Sequence, residues 1–200
     1  MKSSILNIID KYLQIFPEEN KRQTKLIEFL NCQDDNSIID WNNFAGHIVA
    51  SGFIYAKDDN KFLVLYHKDL KMYLYPGGHI NITDINPLYA TKREIKEETG
   101  LDNLKQLNIS EDELVPIDID THIIEYNERL NLQAHYHFDF RYLFTIDKIE
   151  NINIDTEELG DYRWIDIKEL SNDPNYGKIV TKIKKLLQKI TKWKSNNKIY

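Results

Sequence analysis

Apolar positions near the N-terminus recur at helical spacing: Ile5, Ile8, Ile9, Tyr12, Leu13 and Phe16, with Asn7, Asp10 and Lys11 between them. The pattern predicts an amphipathic helix, because the polar residues interrupt any continuous apolar run of the kind a signal peptide needs. Residues 1 to about 40 read as two short helices, broken near Pro17 and ending in the polar stretch Gln33–Ser37. The period then shortens. GHIVASGFIYA (46–56) and KFLVLYH (61–67) are β-prone runs on either side of Lys57-Asp58-Asp59-Asn60, a hairpin turn, and KMYLY (71–75) is a third strand ended by Pro76-Gly77-Gly78. A helix is predicted over about 87–99, strands over about 116–125, 132–146 and 161–167, and a last helix over about 175–194. Mixed order with hairpin-like pairs argues for an α/β (α+β) fold on a mixed sheet, not a doubly wound parallel one.

A length of 200 residues suits one domain, or one domain with an extension. No apolar run approaches the roughly 18–20 residues that cross a bilayer, so no membrane partner is expected. The single cysteine, Cys32, excludes an intrachain disulfide and points to a reducing compartment, with the cytoplasm as the expected location. The net charge of −6 conceals an asymmetry, since residues 178–200 hold eight lysines and no acid. A basic tail could attract nucleic acid. Here Ile179, Ile183, Leu186, Leu187, Ile190 and Trp193 mark one helix face, which assigns the lysines to its solvated side. No GxxxxGK[ST], GxGxxG or CxxC occurs, so those phosphate, dinucleotide and thiol sites are excluded.

The stretch with chemical content is GGHINITDINPLYATKREIKEETGL, residues 77–101. It reads as a glycine-rich loop feeding a helix, with Asn86 as cap, Pro87 in the first turn and Gly100 just past the end. Glu94, Glu97 and Glu98 fall three and four residues apart, on one face. Stacked like charges oppose folding by roughly 0.2–0.5 kcal/mol per pair, which Arg93 and Lys96 offset in part. Hard oxygen ligands on a rigid element are what Mg²⁺ requires; the alternative is a solvated acidic face.

The segment resembles the Nudix box, G-x5-E-x7-R-E-U-x-E-E-x-G-U, where U is a bulky aliphatic residue. Arg93, Glu94, Ile95, Glu97, Glu98, Gly100 and Leu101 match its second half without a gap, and Gly78 matches the opening glycine. The interval from Gly78 to Arg93 is one residue longer than the pattern, and the first glutamate falls on Asp84. NFAGHIVASGFIY (43–55), YLYPGGHI, the H-x-H-x-D run of His135, His137 and Asp139, and TEELGDYRW (156–164) resemble a bacterial Nudix subgroup, so the likeness spans about 43–167.

The resemblance implies an αβα sandwich over residues 41–200, with the box at about 78–101, preceded by a helical extension over 1–40. It implies a small nucleotide substrate and hydrolysis of a pyrophosphate bond in a nucleoside diphosphate linked to another group. Glu94, Glu97 and Glu98 would hold one or more Mg²⁺ (or Mn²⁺), Arg93 would orient a box glutamate, and Gly77, Gly78 and His79 would form the phosphate loop. Glu157 and Glu158 are the candidate general bases outside the box. Along 134–144, His135, His137, Asp139 and Arg141 alternate with aromatic core residues. That polar face is read first as cleft lining; a structural polar cluster and a transition-metal site are the alternatives. His47, His67 and His122 stand alone in the sequence and read as structural. Nucleic acid is not an expected partner, whereas a homodimer is left open. Two rival functions share the fold: an inactive nucleotide sensor, which usually loses box glutamates, and an isopentenyl-diphosphate isomerase, whose catalytic cysteine would have to be Cys32, ahead of the core.

Overall fold

The computed structural model describes residues 1–126, 128, 132–173 and 176–196, with side chains to residue 188. Helix α1 (Lys2–Ile15), a 3-10 turn (Pro17–Glu19) and α2 (Asn20–Cys32) precede strand β1 (His47–Ala56). Then come β2 (Lys61–His67), β3 (Met72–Leu74), β4 (Gly77–His79) and α3 (Pro87–Thr99). The chain continues through β5 (Lys105–Gln106), β6 (Asp118–Ile124), β7 (His135–Ile146), β8 (Leu159–Asp166), α4 (Ile167–Asn172) and α5 (Gly177–Asn196). The mixed sheet expected from the sequence is present. β1 and β7 pair in parallel over ten residues, and the remaining pairings are antiparallel. Three elements escaped the sequence pattern. β5 and α4 are too short to show a period, and residues 77–79, read as loop, pair with β1 as a strand because glycines bring its backbone close.

The two sheet faces carry different cores. Ile48, Ala50 and Ile54 of β1 and Phe138, Phe140, Tyr142 and Phe144 of β7 meet Leu26, Phe29 and Leu30 of α2, Ile95 of α3, and Ile5, Ile8 and Ile9 of α1. Gly52 lets α3 approach β1, since a Cβ there would stand 2.6 Å from Ile95 Cδ1. On the opposite face, Phe53, Tyr55 and Leu143 pack with Ile167, Leu170, Ile179, Val180 and Ile183 of α4 and α5. Ile190 and Trp193 lie outside the described side chains.

That second face also holds a buried ion network. Asp118 of β6 accepts from Arg22 of α2 at 2.9 and 3.0 Å, from Lys182 of α5 at 2.7 Å and from Arg141 of β7 at 3.3 Å. Asp120 accepts from Arg22 and Arg141, each at 2.8 Å. Lys182 is thereby withdrawn from the solvated side assigned to it by the helical pattern, because Asp118, Glu19 and Tyr12 surround its ammonium. Burial alone would raise both carboxyls; Arg22, Lys182 and Arg141 hold Asp118 below the usual carboxylate range, and His122, Arg141 and Arg22 do so for Asp120.

Removing one partner of a buried charge network leaves the others uncompensated, so we expect Asp118→Asn to cost about 3–5 kcal/mol in urea unfolding at neutral pH. Because the folded carboxyls titrate below their unfolded value of ~3.9, their stabilisation is complete above that pH and is lost as pH falls through the lowered values. The gap between wild type and variant should therefore close in acid.

Candidate active site

The box helix begins where the sequence places it. Asn86 Oδ1 accepts the Tyr89 N–H at 2.8 Å, Pro87 fills the first turn, and Gly100 ends the helix in the left-handed region at φ 72°. Before it, β4 lies against β1 with Gly77 opposite Ser51, Gly78 opposite Ala50 and His79 opposite Val49. A Cβ on Gly77 would sit 2.4 Å from Ser51 Cβ, and one on Gly78 would sit 2.7 Å from the Glu94 carboxylate carbon. The Gly77 N–H donates to Glu98 Oε2 at 2.9 Å.

Arg93 organises the acidic face. Its Nε and Nη2 donate to buried Asp84 at 3.2 and 2.8 Å, Nη1 donates to Glu94 and Glu97 at 2.8 Å each, and Nη2 also reaches the His79 carbonyl at 2.9 Å. The aspartate in place of the box's first glutamate thus anchors the arginine rather than entering the cleft. Glu94, Glu97 and Glu98 line a cavity of about 300 Å³ with Gly77, Gly78 and His79, and Asp155 and Glu158 line it as well. Burial pushes the Glu98 carboxyl up to about 8, against the Gly77 N–H and with help from the charges of Glu94, Glu158 and Asp155; burial also raises Glu94.

The acidic loop is divided by this geometry. Glu158 lines the cavity, whereas Glu157 does not, and its N–H caps Asp155 Oδ1 at 2.8 Å. Asp155 escaped the sequence reading; it sits one residue ahead of the quoted TEELGDYRW run, and its own N–H docks on the Glu98 carbonyl at 3.2 Å. The H-x-H-x-D run is divided as well. Asp139 accepts from Ser51 at 2.6 Å, Tyr75 at 3.0 Å and Arg141 at 2.8 Å, and so belongs to the ion network. His135 and His137 instead meet three histidines from elsewhere. Ring centroids of His47 lie 5.0 Å from His79, 4.9 Å from His135 and 4.6 Å from His137, and His122 lies 5.6 Å from His137. His47 and His122, which stand alone in the sequence, are thus neighbours of this cluster through strand register. His67 Nδ1 accepts the Leu70 N–H at 3.3 Å in the turn after β2. Burial and mutual proximity lower His47 to about 3 and His137 to about 2, keeping both rings neutral.

The NUDIX domain family model matches residues 46–189. The chain belongs to the Nudix family. It is 27% identical over 146 residues to a protein of Lactococcus lactis subsp. cremoris named a probable DHNTP pyrophosphohydrolase, a match covering 72% of this chain and 81% of the relative. A NUDIX-family hydrolase from Clostridium perfringens superposes with a TM-score of 0.52 at 28% identity, over 72% of this chain and 97% of that one. A C. elegans Ap4A hydrolase shares the fold, with a TM-score of 0.54 at 17% identity over 70% of this chain and 97% of that one. Divalent metals are typical of the family. The donor set here fits one, since Glu94 and Glu97 share a single arginine, Glu98 has only the Gly77 N–H among its described hydrogen-bond partners, and Gly78 leaves the space beside Glu94 open.

We expect the two glycines to fail differently. Gly78→Ala meets only the movable end of Glu94, so activity should fall at least about tenfold while stability changes by about 0.5 kcal/mol or less. Gly77→Ala meets the β1 backbone and should cost about 1–3 kcal/mol of overpacking. Paired melts and turnover measurements check both.

Proposed function

We propose that this Nudix enzyme is a Mg²⁺-dependent hydrolase of a pyrophosphate bond in a nucleoside diphosphate linked to a further group. The observation that carries the reading is the convergence of Glu94, Glu97 and Glu98 with the Gly77–Gly78 backbone on one cavity. Mg²⁺, or Mn²⁺ in its place, would neutralise pyrophosphate oxygens and activate the attacking water. Arg93 positions Glu94 and Glu97, which it contacts directly, and the Gly77–Gly78 segment and His79 lie where a phosphate chain would pass. Glu158 is the favoured general base because it faces the cavity, whereas Glu157 does not. It would take the proton of a water that attacks phosphorus, with the other phosphoryl group leaving on the bridging oxygen. The relatives' names, a probable DHNTP pyrophosphohydrolase and an Ap4A hydrolase, support a nucleotide-like phosphoanhydride as substrate. Retention of all three box glutamates weighs against an inactive sensor.

A panel of such anhydrides assayed with Mg²⁺, with EDTA, and with Mg²⁺ restored is the direct test; undiminished turnover in EDTA would sink the metal role. We expect Glu97→Gln and Glu98→Gln to leave the metal-free melting temperature nearly unchanged, since relief of a like charge at Glu97 amounts to a few tenths of a kcal/mol and burial already favours the neutral form of Glu98 near pH 7. A glutamine at 98 can still accept the Gly77 N–H. Both variants should gain less stability from Mg²⁺ than wild type, and both should lose activity by orders of magnitude. Glu158→Gln should lower kcat by roughly 10²–10⁴-fold with little change in KM, and Glu157→Gln should leave it near normal.

A further inference from the structure

The histidine cluster differs in chemistry from the box carboxylates and, among its described members, meets their cavity at His79. Gly78 points toward Glu94 on one side of β4, whereas the next residue, His79, joins the rings on the other face of the sheet. His47 of β1, His79 of β4 and His137 of β7 each offer a ring nitrogen, and the three nitrogens lie within 4.8 Å of one another. Bonds of about 2.0 Å to a tetrahedral ion set ligand nitrogens roughly 3.3 Å apart, so modest ring rotation closes the set. One pair already has that spacing: His135 Nε2 is 3.3 Å from His137 Nε2.

Two further observations point to a ligand. His47 is 1% exposed, yet among the described residues neither of its ring nitrogens has a hydrogen-bond partner. The Asn43 carbonyl acts on the ring, but short of hydrogen-bonding geometry. A buried imidazole left in that state forfeits desolvation energy that a bound ion would recover. In addition, His135 Nδ1 lies 2.7 Å from the Gln133 carbonyl and must donate to it, which leaves Nε2 with its lone pair directed at the cluster. A carbonyl fixing the tautomer of a histidine is the usual support for a metal ligand.

We propose that His47, His79 and His137 form a second metal centre, selective for a Zn²⁺-class transition ion, with His135 beside it as a fourth donor. Imidazole nitrogens suit Zn²⁺, Co²⁺ or Ni²⁺, whereas Mg²⁺ takes carboxylate and water oxygens. His79 is exposed, so the site opens toward the cleft at its rim. Asp139, the acid of the H-x-H-x-D run, takes no part, being held by Ser51, Tyr75 and Arg141. The centre stands independently of the Mg²⁺ reading of the box.

The test titrates CoCl2 into the chelator-treated full-length protein in the presence of excess MgCl2 and follows the visible bands of nitrogen-ligated cobalt. One equivalent should bind, ZnCl2 should displace it, and MgCl2 should not. Glu97→Gln/Glu98→Gln should keep the signal, while His79→Gln and His137→Gln should each weaken binding by roughly a hundredfold or more. His79 is exposed, so its variant is expected to stay folded, and circular dichroism checks this. Absence of the bands in wild type would make the cluster a packing of neutral rings and overturn the proposal. Loss of the signal in the glutamate variant but not in the histidine variants would overturn it too, by assigning the ion to the box. Failure of Mg²⁺-dependent turnover with an intact cobalt signal would instead count against the proposed function alone.

Discussion

The parallel ladder between β1 and β7 sets the position of everything that carries chemistry. Ten consecutive pairs, from His47 opposite His137 to Ala56 opposite Ile146, fix the alternation of both strands at once. Ile48, Ala50, Phe138 and Phe140 then point to the helices α2 and α3, while His47, Ser51, His137, Asp139 and Arg141 share the other face. A slip of one residue would send every polar group of this ladder into an apolar core, which is why the register is strongly specified. β4 pairs antiparallel with β1 in a ladder of its own and serves both environments. Its Gly78 serves the box helix and its His79 the histidine cluster.

Three guanidinium groups, Arg141, Arg22 and Arg93, manage the resulting concentration of acid. Arg141 is almost fully buried and ties Asp118, Asp120 and Asp139 into a network completed by Arg22 and Lys182, so these carboxylates are compensated. Arg93 does the opposite on the box side. It satisfies Asp84 fully, touches Glu94 and Glu97 once each, and is not among the described partners of Glu98. Carboxyl groups without a full set of cationic partners are thereby left around a cavity, where burial raises Glu94 and Glu98 and favours their neutral form in the absence of a cation. Compensated acid holds the fold together; uncompensated acid on a rigid helix is suited to bind a cation.

The N-terminal helices contribute to the apolar core and to the ion network. α2 brings Leu26, Phe29 and Leu30 to the sheet, with Phe29 packed 4.7 Å from the Phe138 ring, and from the same helix Arg22 reaches around to β6. α5 approaches β6 from the other side with Lys182. Asp118, at 3% exposure, is the point where these two helices and β7 converge.

Local patterns in the chain determined the elements and the box. The 87–99 helix, with Asn86, Pro87 and Gly100 at its ends, was legible because caps and three-four spacing act within a few residues of one another. The three glutamates share a face for the same reason. The strands 61–67 and 47–56 were legible from runs of β-prone residues. Only tertiary structure decided which isolated residues meet. His47, His79 and His137 are separated by dozens of residues, and no local period relates them; strand pairing between β1, β4 and β7 does. Lys182 looked solvated from helical period alone, since the charge that captures it, Asp118, lies 64 residues away. Asp139 shares a sequence pattern with two histidines but not their environment, because Ser51, Tyr75 and Arg141 hold its side chain in the ion network. Short-range geometry is written in spacing. Long-range contact depends on register, and register is set only when the two faces of the sheet are buried against their own partners.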